Sequence, residues 1–261
     1  MNDTKRIMVR GAPIASGRHP LVCTPLVGGS VDDILREVAA VLPKRPDVVE
    51  WRADYFGQIA DREAVIDTAL RIRDAVGGIP VIFTCRSARE GGQRIALAAS
   101  GVAELLGDVC GARAANLVDF ELANAAGDVE RVRDAARQNG VTLILSHHDF
   151  AATPGAEALL DTFRAAERAG GDVAKVAVMP RTLEDVLTLL SATLAARAAL
   201  SIPLLSMSMG PLGSITRMVG WAFGSTLTFA VGQSSSAPGQ IPIEDLRTAL
   251  AIAQRAFGAE R

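Results

Sequence analysis

Cysteine is scarce. Cys23, Cys85 and Cys110 are odd in number and form no C-x-x-C pair, which excludes a disulfide framework or a cysteine-based zinc site and points to a reducing compartment. The three histidines and three cysteines show no metal-ligand spacing, so no metal is expected. No stretch reaches the roughly 18 uninterrupted apolar residues of a membrane span. The first ten residues are polar and mixed, without the apolar centre of a signal peptide. Charge of one sign is never concentrated. The formal net charge is −2, and no block of like charge predicts a nucleic-acid or anionic-membrane surface. No Ser/Gly/Pro-rich linker interrupts the chain, and no G-x-G-x-x-G follows the first predicted strand. A soluble cytoplasmic protein is the expectation.

What is present is a large apolar content and a regular alternation. The 261 residues are 49% hydrophobic, enough for one large α/β domain or for two small ones. Residues 21–24, 48–52, 80–85, 117–122, 142–146, 173–178, 203–206 and 226–229 read as strands. Between and after them, residues 31–42, 62–76, 95–114, 129–139, 156–169, 183–199, 215–223 and 243–257 read as helices. Residues 6–9 and 12–16, either side of Gly11, predict a small N-terminal hairpin. Strict alternation of β and α predicts a parallel sheet covered by helices. Eight such units suit a (β/α)8 barrel spanning residues 1–261 as a single domain. An open doubly wound sheet is the alternative, disfavoured by the missing glycine-rich turn.

Side chains alternate along a strand, so parity separates those beneath the helices from those inside the barrel. If Val49 and Trp51 face the helices, Glu50 and Arg52 face inward. The same reasoning turns Thr84 and Arg86 inward, then Asp119 and Glu121, then Ile144, Ser146 and His148, and finally Lys175 beside Ala177. Five consecutive strands thus send seven ionisable groups into one interior, mostly near their C-terminal ends, where barrel enzymes keep their chemistry. Asp119 and Glu121 read as counter-charges for buried Lys and Arg. Lys175 lies in the apolar run Val173 to Val178. Two readings are open for it: a lysine paired or snorkelling, or an amine kept partly neutral to attack a carbonyl.

The loops add further groups. Glu90 follows Arg86 by four residues, in Arg86-Ser87-Ala88-Arg89-Glu90-Gly91-Gly92. Arg217 lies just inside the helix after strand seven, where a helix start with an arginine suits a carboxylate or phosphate; a surface arginine is the plainer reading. Met207 and Met209 read as packing. Ser234 to Gln240 reads as a polar loop, either solvent-facing or able to close over a ligand.

These stretches resemble type I 3-dehydroquinate dehydratase over essentially the whole chain. The matching motifs are Glu50-Trp51-Arg52-Ala53-Asp54, Thr84-Cys85-Arg86-Ser87 with Glu90-Gly91-Gly92, Ser146-His147-His148-Asp149-Phe150 and Lys175 to Pro180. Met207-Ser208-Met209-Gly210, Gly213 to Arg217 and Ser236-Ala237-Pro238-Gly239-Gln240 follow in the same order. Pro25 and Thr216 stand where serine occurs in the family. The resemblance implies a (β/α)8 barrel, commonly dimeric, without metal or cofactor, that acts on 3-dehydroquinate in the shikimate pathway. It implies that Lys175 forms the imine, His148 moves protons and Glu90 tunes that histidine. Glu50, Arg52 and Arg86 would hold ring hydroxyls. Arg217, Ser236 and Gln240 would serve the carboxylate and the closing loop. Two rivals use the same residues differently. A Schiff-base aldolase should carry a glycine-rich phosphate site after strands seven and eight, which residues 236–240 do not resemble. A catalytically silent binding barrel should have lost Lys175 or His148, and both are present.

Overall fold

Eight short runs rich in Val, Leu, Ile and Phe form the barrel wall in a computed structural model that describes residues 5–14 and 20–257. A two-residue hairpin comes first, β1 (Met8–Val9) and β2 (Ala12–Pro13), antiparallel with Met8 opposite Pro13. Arg10 and Gly11 take positive φ (49° and 78°) at its turn, the geometry that two-residue hairpin loops require. Residues 15 and 16 of the predicted second arm lie outside the described residues. The hairpin is fastened to the barrel floor: Thr142 Oγ1 donates to Met8 O at 2.6 Å, and Ile7 and Ile14 join the interior cluster.

The alternation follows as β3 (Leu21–Leu26), α1 (Val31–Val41), β4 (Val48–Arg52), α2 (Arg62–Val76), β5 (Val81–Thr84), α3 (Ala99–Gly111), β6 (Leu117–Glu121) and α4 (Ala126–Asn139). The second half is β7 (Thr142–Asp149), α5 (Ala156–Arg168), β8 (Val173–Val178), α6 (Leu183–Ala199), β9 (Leu204–Ser208), α7 (Gly210–Phe223), β10 (Leu227–Val231), the short β11 (Ile241–Pro242) and α8 (Ile243–Ala256). Strands β3 to β9 pair in sequence order, all parallel, and β10 pairs with β3. The ring closes between β9 and β10, where Leu204 bridges Ser225 and Thr226 N donates to Leu204 O at 2.8 Å. A closed ring corrects the open-sheet alternative.

Several boundaries differ from the sequence reading, and three of them bear on the site. Helix α3 begins at Ala99 rather than at residue 95, because the chain after Gly91 (φ 83°) turns back on itself and Gln93 N is held by Asp54. Helix α7 begins earlier, at Gly210, with Pro211 in its first turn, where a missing N–H is harmless and φ is already helical. Strand β7 runs on to Asp149, so both His147 and His148 lie on its regular ladder.

Two apolar layers result from the alternation. Val49, Trp51, Phe83, Val118, Phe120, Leu143, Leu145, Val176 and Val178 pack outward against the helices, with Trp51 edge-on to Phe83 at 5.4 Å. Leu21, Val48, Ile82, Leu117, Ile144, Val173, Leu205 and Leu227 fill the barrel floor. The ionisable inward residues sit above this plug, toward the C-terminal ends. Among the described residues no helix is long and apolar enough to cross a membrane.

Candidate active site

The strand register brings the inward charges together. Glu50 pairs in the ladder with Ile82, Arg52 with Thr84, Thr84 with Asp119, Glu121 with Ser146, and Ser146 with Lys175. His148 stands opposite Ala177, one inward position above Lys175 on the neighbouring strand. The bend of the barrel turns this row into a ring of charge around one cavity.

Lys175 is buried and paired. Its Nζ lies 2.7 Å from Asp119 Oδ2 and 3.8 Å from Glu50 Oε1, and 4.8 Å from the centre of the Phe229 ring. Arg86 is buried beside it, with NH2 at 2.7 Å from Asp119 Oδ1 and NH1 at 3.3 Å from Glu121 Oε1. Ser146 Oγ bridges the two groups, donating to Asp119 Oδ1 at 2.6 Å and accepting from Arg86 at 2.9 Å. Burial alone would push the Asp119 carboxyl up. The charges of Arg86 and Lys175 outweigh it and hold Asp119 well below the usual carboxylate range. The predicted counter-charge role of Asp119 and Glu121 is what these distances describe.

Above this network Glu90 meets His148. Glu90 Oε2 accepts from the His148 backbone N–H at 3.0 Å and lies 2.8 Å from Nδ1 of its ring. Burial, then the positive charges of Arg86 and Lys175, push the His148 imidazole well below its ordinary value. Burial, reinforced by the negative charge of Glu121, pushes Glu90 up to about 8. Burial is the largest cause of both shifts: a dry pocket opposes charging either partner. Glu90 is placed by a compact loop: a Cβ on Gly92 would meet Arg86 O at 2.0 Å, and one on Gly91 would meet the Phe150 ring at 2.2 Å. Only glycine allows these approaches.

The opposite wall carries Arg52 and Arg217. Asp54 grips Arg52 in a fork, with Nε and NH2 each 2.8 Å from a carboxylate oxygen. Arg52 NH1 donates to Ser236 O at 3.2 Å. Arg217 is buried rather than on the surface, 2% exposed. Its NH2 donates to Pro238 O at 3.0 Å, and its Nε has no hydrogen-bond partner. Among the described residues no carboxylate pairs with it, and burial brings its guanidinium down to about 10. The loop after β10 is thus folded over the site rather than out in solvent. Gln240 closes it internally, its Nε2 donating to Ser236 Oγ at 3.2 Å.

All nine residues singled out in the sequence, Lys175, His148, Glu90, Glu50, Arg52, Arg86, Arg217, Ser236 and Gln240, line the same cavity. Phe150, Met207, Met209 and Phe229 line it too. The two methionines were expected only to pack, and Phe229 was not singled out. Carrying the parity argument on to β9 and β10 would have found Met207 and Phe229, which share the inward set with Leu205 and Leu227. Among the described residues no three His, Cys, Asp or Glu side chains are grouped so as to hold a metal.

The chain is similar to known proteins in sequence and in fold. Residues 22–256 match the family model described as type I 3-dehydroquinase. A 3-dehydroquinate dehydratase of Albidiferax ferrireducens is 54% identical over 258 residues, 99% of this chain and 98% of that one. The solved 3-dehydroquinate dehydratase of Geobacillus kaustophilus aligns with a TM-score of 0.93 at 50% identity, covering 98% of this chain and 99% of its own. The type I enzyme of Clostridium difficile, solved with covalently modified comenic acid, gives 0.90 at 31% identity over 97% and 99%. Matched along nearly its full length, the chain belongs to the type I 3-dehydroquinase family.

Proposed function

We propose that this chain converts 3-dehydroquinate to 3-dehydroshikimate through an imine on Lys175, with His148 as the proton carrier. The observation that carries the reading is a lysine inside the barrel, one inward position from a histidine backed by a buried carboxyl. The relatives named for this dehydration, and the covalent ligand recorded for the Clostridium difficile enzyme, support it. Lys175 Nζ adds to the ring ketone, and the carbonyl oxygen departs as water to leave a protonated imine. That cation acidifies the adjacent C–H. With Nδ1–H given to Glu90, His148 keeps a lone pair on Nε2 and takes the proton. The enamine then expels the tertiary hydroxyl, which leaves as water with the proton His148 returns. Hydrolysis of the imine frees product and Lys175.

In this reading Glu50, Arg52 and Arg86 meet ring hydroxyls and Arg217 the carboxylate, which their common position on the cavity lining supports. Ser236, Ala237 and Gln240 of the loop after β10 line the cavity, so in this reading the loop lifts to admit the ligand and closes again. The test is irreversible loss of turnover when borohydride is added with 3-dehydroquinate. Turnover that continues through borohydride and substrate together sinks the imine.

The same reading makes residues 1–261 one cytoplasmic catalytic domain that works as a homodimer. Buried, unpaired cysteines suit a reducing compartment. Leu183, Leu187 and Leu194 form one exposed stripe on α6, 60%, 63% and 50% exposed, beside exposed Leu212 and Ile215 on α7. Such a patch suits a second copy of the chain. Sedimentation equilibrium should give a dimer that Leu187→Glu splits; a wild-type monomer at micromolar concentration contradicts the assembly.

A further inference from the structure

Asp54 belongs to the Glu50-Trp51-Arg52-Ala53-Asp54 stretch, yet the chemistry above gives it no part. Its carboxylate is fully buried and does not line the cavity. Both oxygens are doubly engaged. Oδ1 accepts from Arg52 Nε at 2.8 Å and from Arg86 N at 3.3 Å. Oδ2 accepts from Arg52 NH2 at 2.8 Å and from Gln93 N at 3.0 Å.

Arg86 and Gln93 are the two ends of the loop that carries Glu90. Within it, Ser87 O accepts from Glu90 N at 3.0 Å and from Gly92 N at 2.8 Å. The loop is therefore a small closed ring, and Asp54 is the fastening at its neck. The same carboxylate sets the plane of the Arg52 guanidinium, whose remaining nitrogen donates to the covering loop at Ser236 O. One buried group thus fixes a ligand-facing arginine, a contact of the covering loop and the glutamate behind His148.

We propose that Asp54 is a positioning residue for the dehydration. It aims Arg52 at the ligand and the covering loop, and it holds the Arg86–Gln93 loop so that Glu90 meets His148. The inference rests on the imine reading of the site. Only a carboxylate of this length satisfies the four donors, because an amide accepts at one end and presents N–H groups to the guanidinium at the other.

The experiment compares Asp54→Asn in the wild-type, Arg52→Ala and Glu90→Gln backgrounds, with steady-state kinetics and melting curves for each. Asp54→Asn should raise KM and lower kcat, together by roughly 100-fold in kcat/KM, as expected for displacing groups by about 1 Å. The KM part should shrink in the Arg52→Ala background and the kcat part in the Glu90→Gln background, where the partner is already gone. Unchanged kcat and KM, or equal losses in all three backgrounds, overturn the proposal. Arg52→Ala/Asp54→Asn leaves no unpaired buried charge, so it isolates the kcat part even where Asp54→Asn alone does not fold. Borohydride labelling of the wild type runs alongside. Labelled Lys175 with a fully active Asp54→Asn enzyme refutes the role of Asp54, whereas missing label refutes the imine instead.

Discussion

Arg217 offers a perturbation whose two consequences have opposite character. The guanidinium is buried, and among the described residues it has no carboxylate beside it. The fall from 12.5 to about 10 corresponds to about 3 kcal/mol against the charged form, at about 1.4 kcal/mol per tenfold. Replacing Arg217 by Leu relieves that strain on folding. It also gives up the bonds to Phe229 O at 3.4 Å and Pro238 O at 3.0 Å, each worth about 1–2 kcal/mol. The two effects nearly cancel, so Arg217→Leu should melt within about 1–2 kcal/mol of wild type. Arg86→Leu is the contrast. It strips the guanidinium from Asp119 and Glu121, leaving Lys175 as the one buried cation on Asp119 among the described residues, and removing one partner of a buried ion-pair network costs about 3–5 kcal/mol. Binding responds the other way. The desolvation of Arg217 is complete in the folded protein, so a substrate carboxylate meets a cation already stripped of water. Its loss should weaken binding by about 1.5–3 kcal/mol, roughly ten- to a hundredfold in KM. Urea melts and initial rates of enone formation measure both. An unchanged KM refutes the assignment, and so does an Arg217→Leu protein as unstable as Arg86→Leu.

Three further outcomes follow from the same geometry. His148→Ala should lose at least ~100-fold in kcat, as expected for a general acid–base group. His147, on the opposite face of β7, should tolerate Ala with little loss under saturating substrate; a slower His147→Ala enzyme reverses the assignment. Because His148 is held well below 6.5, kcat should not fall as pH drops from 7.5 to 6.5, where an ordinary imidazole charges; a limb centred at 6.5 contradicts the shift. Glu90 is raised in the folded state from 4.5 to about 8, so the folded protein binds more protons than the unfolded chain between those values. Its contribution to stability is therefore largest below pH 4.5 and declines as pH rises to 8. Glu90→Gln should flatten that part of the stability curve, and identical slopes in the two proteins speak against the buried carboxyl.

The barrel and most of its site were legible because both rest on local rules. Alternation along five strands was enough to turn Glu50, Arg52, Arg86, Asp119, Glu121, His148 and Lys175 to one side. Pairing was legible only in outline. Sequence pattern assigns Asp119 as a counter-charge but does not say that it holds Lys175 and Arg86 at once, since that depends on register between strands far apart in the chain. Arg217 was ambiguous because burial of a helix residue is decided by what folds over it, here the loop carrying Pro238. The start of α3 was misplaced for a related reason. Residues 95–98 have helical propensity, but the chain before them is tied to Asp54 by Gln93 N, a tertiary contact that propensity does not contain. Asp54 lies in a matching stretch, yet two of its four donors come from the two ends of another segment, the Arg86–Gln93 loop.

The central claim is the covalent one, and three lysines make it simple to test. Lys5 and Lys44 bond to backbone carbonyls, of Arg197 and Gly232, and neither lines the cavity. The protein is incubated with 3-dehydroquinate and borohydride, and the intact mass and peptide map are recorded. The account predicts a single reduced adduct on Lys175, absent without substrate and absent from Lys175→Ala. An adduct on Lys5 or Lys44, or no adduct from an enzyme that turns over, contradicts it.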